Sequence, residues 1–303
     1  MEVTISTYEI MKQFPDEKTA RIYLEERRWD GHTLCPFCHS DKIQTRPVDG
    51  LYRCLTCKDE FTVRTGTIME RSHIPLDKWI FAMYLIVTAR KGVSSLQLSK
   101  ELGITQKSAW FMLQRLREAC RSGHEPLEGI VEADECFIGG KESNKHNSKK
   151  LKAGRGTVGK TTVLGMRQRK GIVRAMVVTG TDTETIQNKI RENVVPGSTL
   201  CTDEHSAYRG MPEFNHLEVS HSAKEFVNGM AHTNGIESVW AVLKRGYYGT
   251  YHNFSTKHLN RYIDEFSFRL NEGVCSVPSM DRVRALFHGA VGKTLTYKRL
   301  KMV

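Results

Sequence analysis

Apolar positions change their period several times along the chain, and each change marks an element. Between residues 232 and 245, Ile236, Val239, Trp240 and Leu243 recur at helical spacing, which predicts a helix with one face against a core. Glu237 and Lys244 lie two turns apart on a neighbouring face, and Asn234 stands three residues before Glu237, where it caps the helix or sits beside the carboxylate. An acid at the head of a half-buried helix, flanked by an amide and a cation, suggests a site. A second helix, 257–271, is predicted to pack behind it through Leu259, Tyr262, Ile263, Phe266 and Leu270.

Upstream, 129–140 alternates apolar and polar residues, places Asp134 in the run and closes on two glycines, so it reads as a strand. Residues 162–166 and 172–178 read as a hairpin across the basic turn 167–171, 183–193 as a helix ended by Pro196 and Gly197, 198–203 as a short buried strand ending on Asp203, and 216–220 as a fifth strand. Three strands, a helix and a fourth strand make an α/β arrangement, in which sites gather at strand ends. Between 141 and 160 runs a lysine-rich segment holding Lys149 and Lys150, either a solvated loop or a contact for backbone phosphates.

The first third of the chain has another character. Residues 1–30 predict two short helices broken at Pro15, a small helical cap on the neighbouring domain. From 74 to 120 the pattern is helical in three pieces, the second ending at Gly103 and the third opening at Thr105. A short helix, a glycine turn and a helix expected to expose Gln106, Lys107, Ser108, Gln114, Arg115 and Arg117 is the layout of a helix-turn-helix, with a plain three-helix packing unit as the alternative. In the first reading the start of the last helix reaches base edges and its arginines meet phosphates.

Between these regions lie Cys35 and Cys38, then fifteen residues, then Cys54 and Cys57. Two such pairs let two knuckle turns present four thiolates tetrahedrally to Zn²⁺. The ion is expected to be structural, since four thiolates leave no open position for water.

The formal net charge of +11 points to a polyanion, most simply nucleic acid. No stretch of eighteen apolar residues occurs and the first twelve residues lack the pattern of a signal peptide, so no membrane association and a cytoplasmic, nucleoid-associated protein are expected. Eight cysteines in such a compartment suit metal or free thiols rather than disulfides. Asp134, Asp203 and Glu237 can converge if the first and fourth strands are neighbours, and three adjacent carboxylates repel one another unless a divalent cation such as Mg²⁺ or Mn²⁺ lies between them. Glu132, Glu135, Glu204, Asp182, Asp264 and Glu265 are rival acids.

The ribbon cysteines, the helical segment and the motifs EADECFIGG, CTDEHSAY and HTNGIESVWAVLKRGYYGTYHNFS, in this order, resemble the bacterial insertion-sequence transposases that join an N-terminal zinc ribbon to an aspartate-aspartate-glutamate catalytic domain, the ISXO2-like group related to the Merlin elements. The resemblance implies a ribonuclease H-like core in which Asp134, Asp203 and the acid of NGIES bind catalytic Mg²⁺ or Mn²⁺, with Glu237 the expected third ligand and Asn234 its rival. Lys244 matches the family's lysine and would meet a DNA phosphate, with Arg245 beside it, while Tyr247, Tyr248 and Tyr251 either touch DNA or fill the core. The expected organisation is a cap (1–30), a zinc ribbon (31–70), a helix-turn-helix-like segment (71–122) and a catalytic domain (128–290). The expected function is binding of terminal inverted repeats, metal-dependent phosphodiester cleavage and strand transfer into target DNA. Double-stranded DNA is then the partner, the working form is a homo-oligomer, and no small molecule is a substrate. A DNA-binding regulator on an inactive scaffold and a nuclease that cuts without joining are the alternatives.

Overall fold

A computed structural model describes the chain except residues 1–3, 47–49, 122, 124, 141, 152–155, 220–231, 273, 275 and 303 and the side chains of 143 and 149. It divides into two units, one made of Met1–Ser122 with Glu272–Val303 and one of Gly123–Asn271. Among the described residues, no helix is long and apolar enough to cross a membrane.

In the first unit, α1 (Thr7–Gln13) and α2 (Glu17–Trp29) part at Pro15, as the sequence predicts. Both starts are capped locally, α1 by reciprocal bonds between Ser6 and Glu9 and α2 by Asp16 accepting from the Thr19 amide. The antiparallel ribbon β1 (Ile43–Arg46), β2 (Leu51–Cys54) and β3 (Glu60–Phe61) comes after them. So small a sheet has little filling of its own, and Trp29 from α2 supplies some by packing edge-on against Tyr52 and Phe61. Next come α3 (Leu76–Thr88), α4 (Ser95–Leu102) and α5 (Gln106–Cys120). α4 stops at Gly103, whose φ of +59° is the left-handed C-cap conformation, and Thr105 caps α5 by accepting from the Ser108 amide.

The second unit is a five-stranded sheet formed by β4 (Ile130–Ile138), β5 (Thr161–Gln168), β6 (Val173–Val178), β7 (Thr199–Asp203) and β8 (Asn215–Val219), in the order β6-β5-β4-β7-β8. β4, β5 and β6 form an antiparallel meander, and β7 and β8 join parallel to β4, as expected of a ribonuclease H-like core. The fifth strand covers the expected position, although Ser220 lies outside the described residues. Helix α6 (Thr183–Asn193) covers one face, where Ile186 and Ile190 meet Val131, Ala133, Leu164 and Leu200. Helix α7 (Asn234–Gly246), a π-helical turn (Tyr247–Tyr251) and α8 (Leu259–Asn271) supply the core of the other. Because side chains alternate along β4, Val131 and Ala133 serve the α6 face while Glu132, Asp134 and Cys136 face α7.

The sheet unit ends at Asn271, ahead of the expected boundary at 290. Residues beyond it fold with the first unit, where α9 (Ser279–His288) packs on α3 and α5, with α10 (Tyr297–Met302) after it. Gly289 makes the close approach possible: a Cβ there would stand 2.4 Å from the Ala119 carbonyl oxygen. This return of the chain corrects the expected role of the later α5 residues. Arg115 is not an exposed phosphate contact: it is buried, its Nε donates to the Leu295 carbonyl at 3.1 Å, and its guanidinium lies over Phe111. Gln114 and Arg117 are buried as well. The described residues from α9 to Tyr297 thus lie against the part of α5 that holds Arg115.

Candidate active site

The acids of the second unit are sorted by strand parity and by distance from strand ends. β4 and β7 pair in parallel up to Glu132 opposite Cys201, and two further residues along the same register set Asp134 level with Asp203. The two carboxylates therefore stand on adjacent strands just past the point where pairing between β4 and β7 stops. Asp134 feels this: burial first, then the charges of Glu135 and Asp203, push its carboxyl up to about 6. Its two oxygens are also fixed, Oδ1 accepting from the Glu135 amide at 2.8 Å and Oδ2 from the Trp240 indole N–H at 2.9 Å. Asp203 Oδ1 accepts from the His205 amide at 3.1 Å, which turns the chain at the tip of β7.

The Trp240 bond depends on Gly165, the β5 residue opposite Asp134. A Cβ at Gly165 would lie 2.4 Å from the indole ring, so only glycine lets the ring lie flat beside Asp134. Trp240 in turn fixes which edge of α7 faces the acid. Glu237 lies three residues before it and Lys244 four after, so the three form one column along the helix. The Lys244 charge acts on Cys136, two residues beyond Asp134 on β4, whose thiol burial pushes up to about 11. Asn234 lies about 60° further round the helix at 100° per residue. Both Glu237 and Lys244 are exposed, and Glu237 Oε1 accepts from the Thr233 hydroxyl at 3.0 Å.

Four of the six rival acids have other work. Glu132 is buried against Arg169; Glu135 points to the α6 side, where it accepts from the Tyr208 hydroxyl at 2.7 Å and burial raises its pKa; Asp182 caps α6; and Glu265 is buried with Arg269 and Tyr251. Tyr247 is buried, Tyr251 is tied to Glu265, and Tyr248 stays 61% exposed, so of the three aromatics Tyr248 alone faces outward to any large extent. Sequence reading passed over Trp240, Gly165 and Arg169 as site residues. Trp240 carried a weak signal in lying one turn from both Glu237 and Lys244, whereas the contacts of Gly165 and Arg169 span the sheet and leave no local pattern.

Among the described residues, the four cysteines are the group of metal-ligand type whose donor atoms gather within 4.8 Å of one another; Asp134, Asp203 and Glu237 are not drawn that close. The Sγ atoms of Cys35 and Cys57 are 3.6 Å apart and those of Cys38 and Cys54 3.5 Å. Each pair forms the same knuckle: the amides of Phe37 and Cys57 point at Cys35 Sγ and Cys54 Sγ, and His39 and Lys58, each directly after its pair, have φ of +58° and +68°. Four soft thiolate donors with their amides turned inward suit Zn²⁺.

The expected DNA contacts divide. Gln106 and Lys107 are exposed at the start of α5, and Ser108 is partly covered. Gln106 reaches Ser95 on α4, and Lys107 lies over the Tyr297 ring. Arg245 is exposed, Lys150 bonds Asn147, and the Lys149 side chain is outside the described residues.

Comparison with known proteins agrees with this architecture. The family model of the ISXO2-like transposase domain matches residues 126–271, and that of the transposase zinc-ribbon domain matches residues 15–60. An uncharacterized protein in transposable element ISH50 of Halobacterium salinarum is 28% identical over 296 residues, covering 93% of this chain and 99% of that protein. An uncharacterized transposase-like protein of Haemophilus influenzae is 30% identical over 101 residues, covering 33% of this chain and 80% of that protein.

Proposed function

Since the chain belongs to the transposases that combine a zinc ribbon with an ISXO2-like transposase domain, we propose that it binds the terminal inverted repeats of its own element, cleaves phosphodiesters at the element ends and joins the freed 3′-hydroxyls to target DNA. The observation that carries this reading is that Asp134, on β4, and Asp203, at the end of the neighbouring parallel strand β7, lie just past the paired stretch, where the Asp203 charge acts on Asp134, beside the Glu237–Trp240–Lys244 edge of α7.

Asp134, Asp203 and Glu237 would hold Mg²⁺ or Mn²⁺, and the fit rests on two hard oxygen donors whose repulsion and burial already push Asp134 up to about 6, a cost that a divalent cation relieves. When bound, such a cation supplies Lewis acidity toward the attacking and the leaving oxygen of an in-line displacement at phosphorus. The chain's own part is placement. Trp240 and the Glu135 amide fix both oxygens of Asp134, Thr233 holds the Glu237 carboxylate, and exposed Lys244 meets a phosphate of the bound strand as a point charge. Glu237 is preferred to Asn234 as third ligand because it shares the Trp240 edge and carries a charge. The exposed start of α5 and Arg245 are the surfaces offered to DNA. An oligomer is required by the reaction, in which two ends are cut and joined in concert.

The test is cleavage and joining on a duplex ending in the element's repeat with Mg²⁺, comparing wild type with Asp134→Asn and Glu237→Gln. Wild type is expected to cut and join while both variants bind the duplex and do neither. Cutting without joining would make the protein a nuclease, binding alone would make it a regulator, and variants as active as wild type would remove these acids from the site.

A further inference from the structure

Helix α7 carries the edge that faces Asp134, yet its start has no cap of its own. Thr233, the residue in the cap position, makes no side-chain bond to the helix amides, because its hydroxyl is turned to Glu237. The capping carboxylate comes instead from the sheet. Glu132, 1% exposed and two residues before Asp134 on the same face of β4, accepts from the Ile236 amide through Oε2 at 2.9 Å. Its Oε1 accepts from Arg169 Nε at 3.0 Å, and Arg169 Nη2 donates to the His232 carbonyl at 3.0 Å. Arg167, opposite Glu132 on β5, donates to the Gly235 carbonyl at 2.6 Å and to the Ser238 hydroxyl at 2.9 Å. Three side chains, one each from β4, β5 and the β5–β6 turn, therefore hold the chain from 232 to 238.

A buried ion pair of this kind is a weak source of stability, since a well-packed apolar pair of similar volume often does as well. Its directional bonds do what apolar packing does not: they fix the rotation and axial position of a helix end. Gly235 gives a second, independent sign. Its φ is not in the left-handed region, so no backbone conformation requires glycine there, but a Cβ would lie 2.4 Å from Glu132 Oε2. The glycine is there so that the helix start can close on the carboxylate.

We propose that Glu132, Arg169 and Gly235 form a clamp that sets the register of α7 against β4, and that this clamp, touching no substrate itself, places Glu237 and Lys244 for the chemistry at Asp134. The proposal rests on the transposase reading above for what is being placed. The three are positioning residues.

The decisive variant is Gly235→Ala in the full-length zinc-loaded chain. Helix propensity favours alanine over glycine, so an ordinary helix position would gain stability; the clamp predicts a loss of rate. Arg169→Lys, which keeps the charge and loses the fork, and Glu132→Gln accompany it. Each is assayed for binding of the repeat duplex, for hydrogen exchange of the amides of 236–238, and for single-turnover cleavage, with rate constant and amplitude recorded separately. Expected are unchanged duplex binding and near-complete amplitude, faster exchange confined to the first turn of α7, and a rate constant lower by about 10²-fold, the order of loss from a misplacement of about 1 Å. A merely structural role would lower the amplitude and leave the rate constant of the surviving protein unchanged; that outcome, or a wild-type rate constant in Gly235→Ala and Arg169→Lys, overturns the proposal. Should the wild type not cleave at all, the transposase reading falls on its own, and exchange at 236–238 still decides the clamp: unchanged protection in all three variants refutes it.

Discussion

Asp134→Asn should make the second unit more stable relative to wild type as pH rises. The carboxyl of Asp134 is raised from 3.8 to about 6, chiefly by burial and then by Glu135 and Asp203. The folded chain therefore holds this proton more tightly than the unfolded chain. The associated stability is fully present below about pH 3.8 and is lost as pH rises through about 6, above which the ionised group costs about 3 kcal/mol, at 1.36 kcal/mol per pH unit. Roughly 1.4 kcal/mol of this change falls between pH 5 and pH 7.5, the usable window, since thiolate protonation at lower pH would release the ribbon's zinc. Asparagine abolishes the titration but has one oxygen for two N–H donors, that of Glu135 and that of Trp240, so about 1–3 kcal/mol is lost at every pH. That offset cancels when the wild type-to-variant difference at pH 5 is subtracted from the difference at pH 7.5. Opening free energies of the β4 and β5 amides, from native-state hydrogen exchange in buffer without Mg²⁺, give the quantity directly. The same experiment with Mg²⁺ should stabilise wild type at pH 7.5 and leave the variant unmoved. A difference that stays constant across the window would refute the placement of Asp134 in a desolvated, acid-crowded site.

Single contacts set the other expected outcomes. Gly165→Ala forces the Trp240 ring off Asp134; an overpacking loss of about 1–3 kcal/mol is expected in chemical denaturation, together with a lower cleavage rate. Cys54→Ser removes one of four gathered thiols, so zinc content measured by metal analysis should fall below one per chain and the ribbon should lose stability. Arg115→Ala should lower the melting temperature while leaving the salt dependence of duplex binding unchanged, since its guanidinium is bonded to Leu295 rather than presented to phosphate; a slope reduced by about one would reverse that assignment.

Much of this molecule is local in origin, and that part was open to reading. The CxxC pairs specify two knuckles through bonds between near neighbours, and the ribbon formed where expected. The apolar stripe of Ile236, Val239, Trp240 and Leu243 defined the buried face of α7, and the period-two run through Asp134 defined β4. The motifs that carry the family resemblance also lie in these local stretches.

What sequence left open was decided by long-range approach. The same α5 arginines read as exposed from their own helix, and the return of the chain at Leu295 brings Arg115 a buried partner. Of six rival acids near the candidate trio, none could be set aside by type or spacing. Parity along β4 put Glu132 beside Asp134, but the Arg169 bond that makes it a clamp spans 37 residues, and the partner of Glu135 lies 73 residues away. Gly165 and Gly235 look like ordinary breaks in a pattern until the ring and the carboxylate that need their space are in place. By itself the sequence determined the elements, the zinc knuckles and a short set of candidate acids, because backbone propensity, apolar period and ligand spacing act over a few residues. The tertiary structure alone decided which acid is desolvated and which basic groups stay exposed, because burial and charge coupling depend on what the rest of the chain brings alongside.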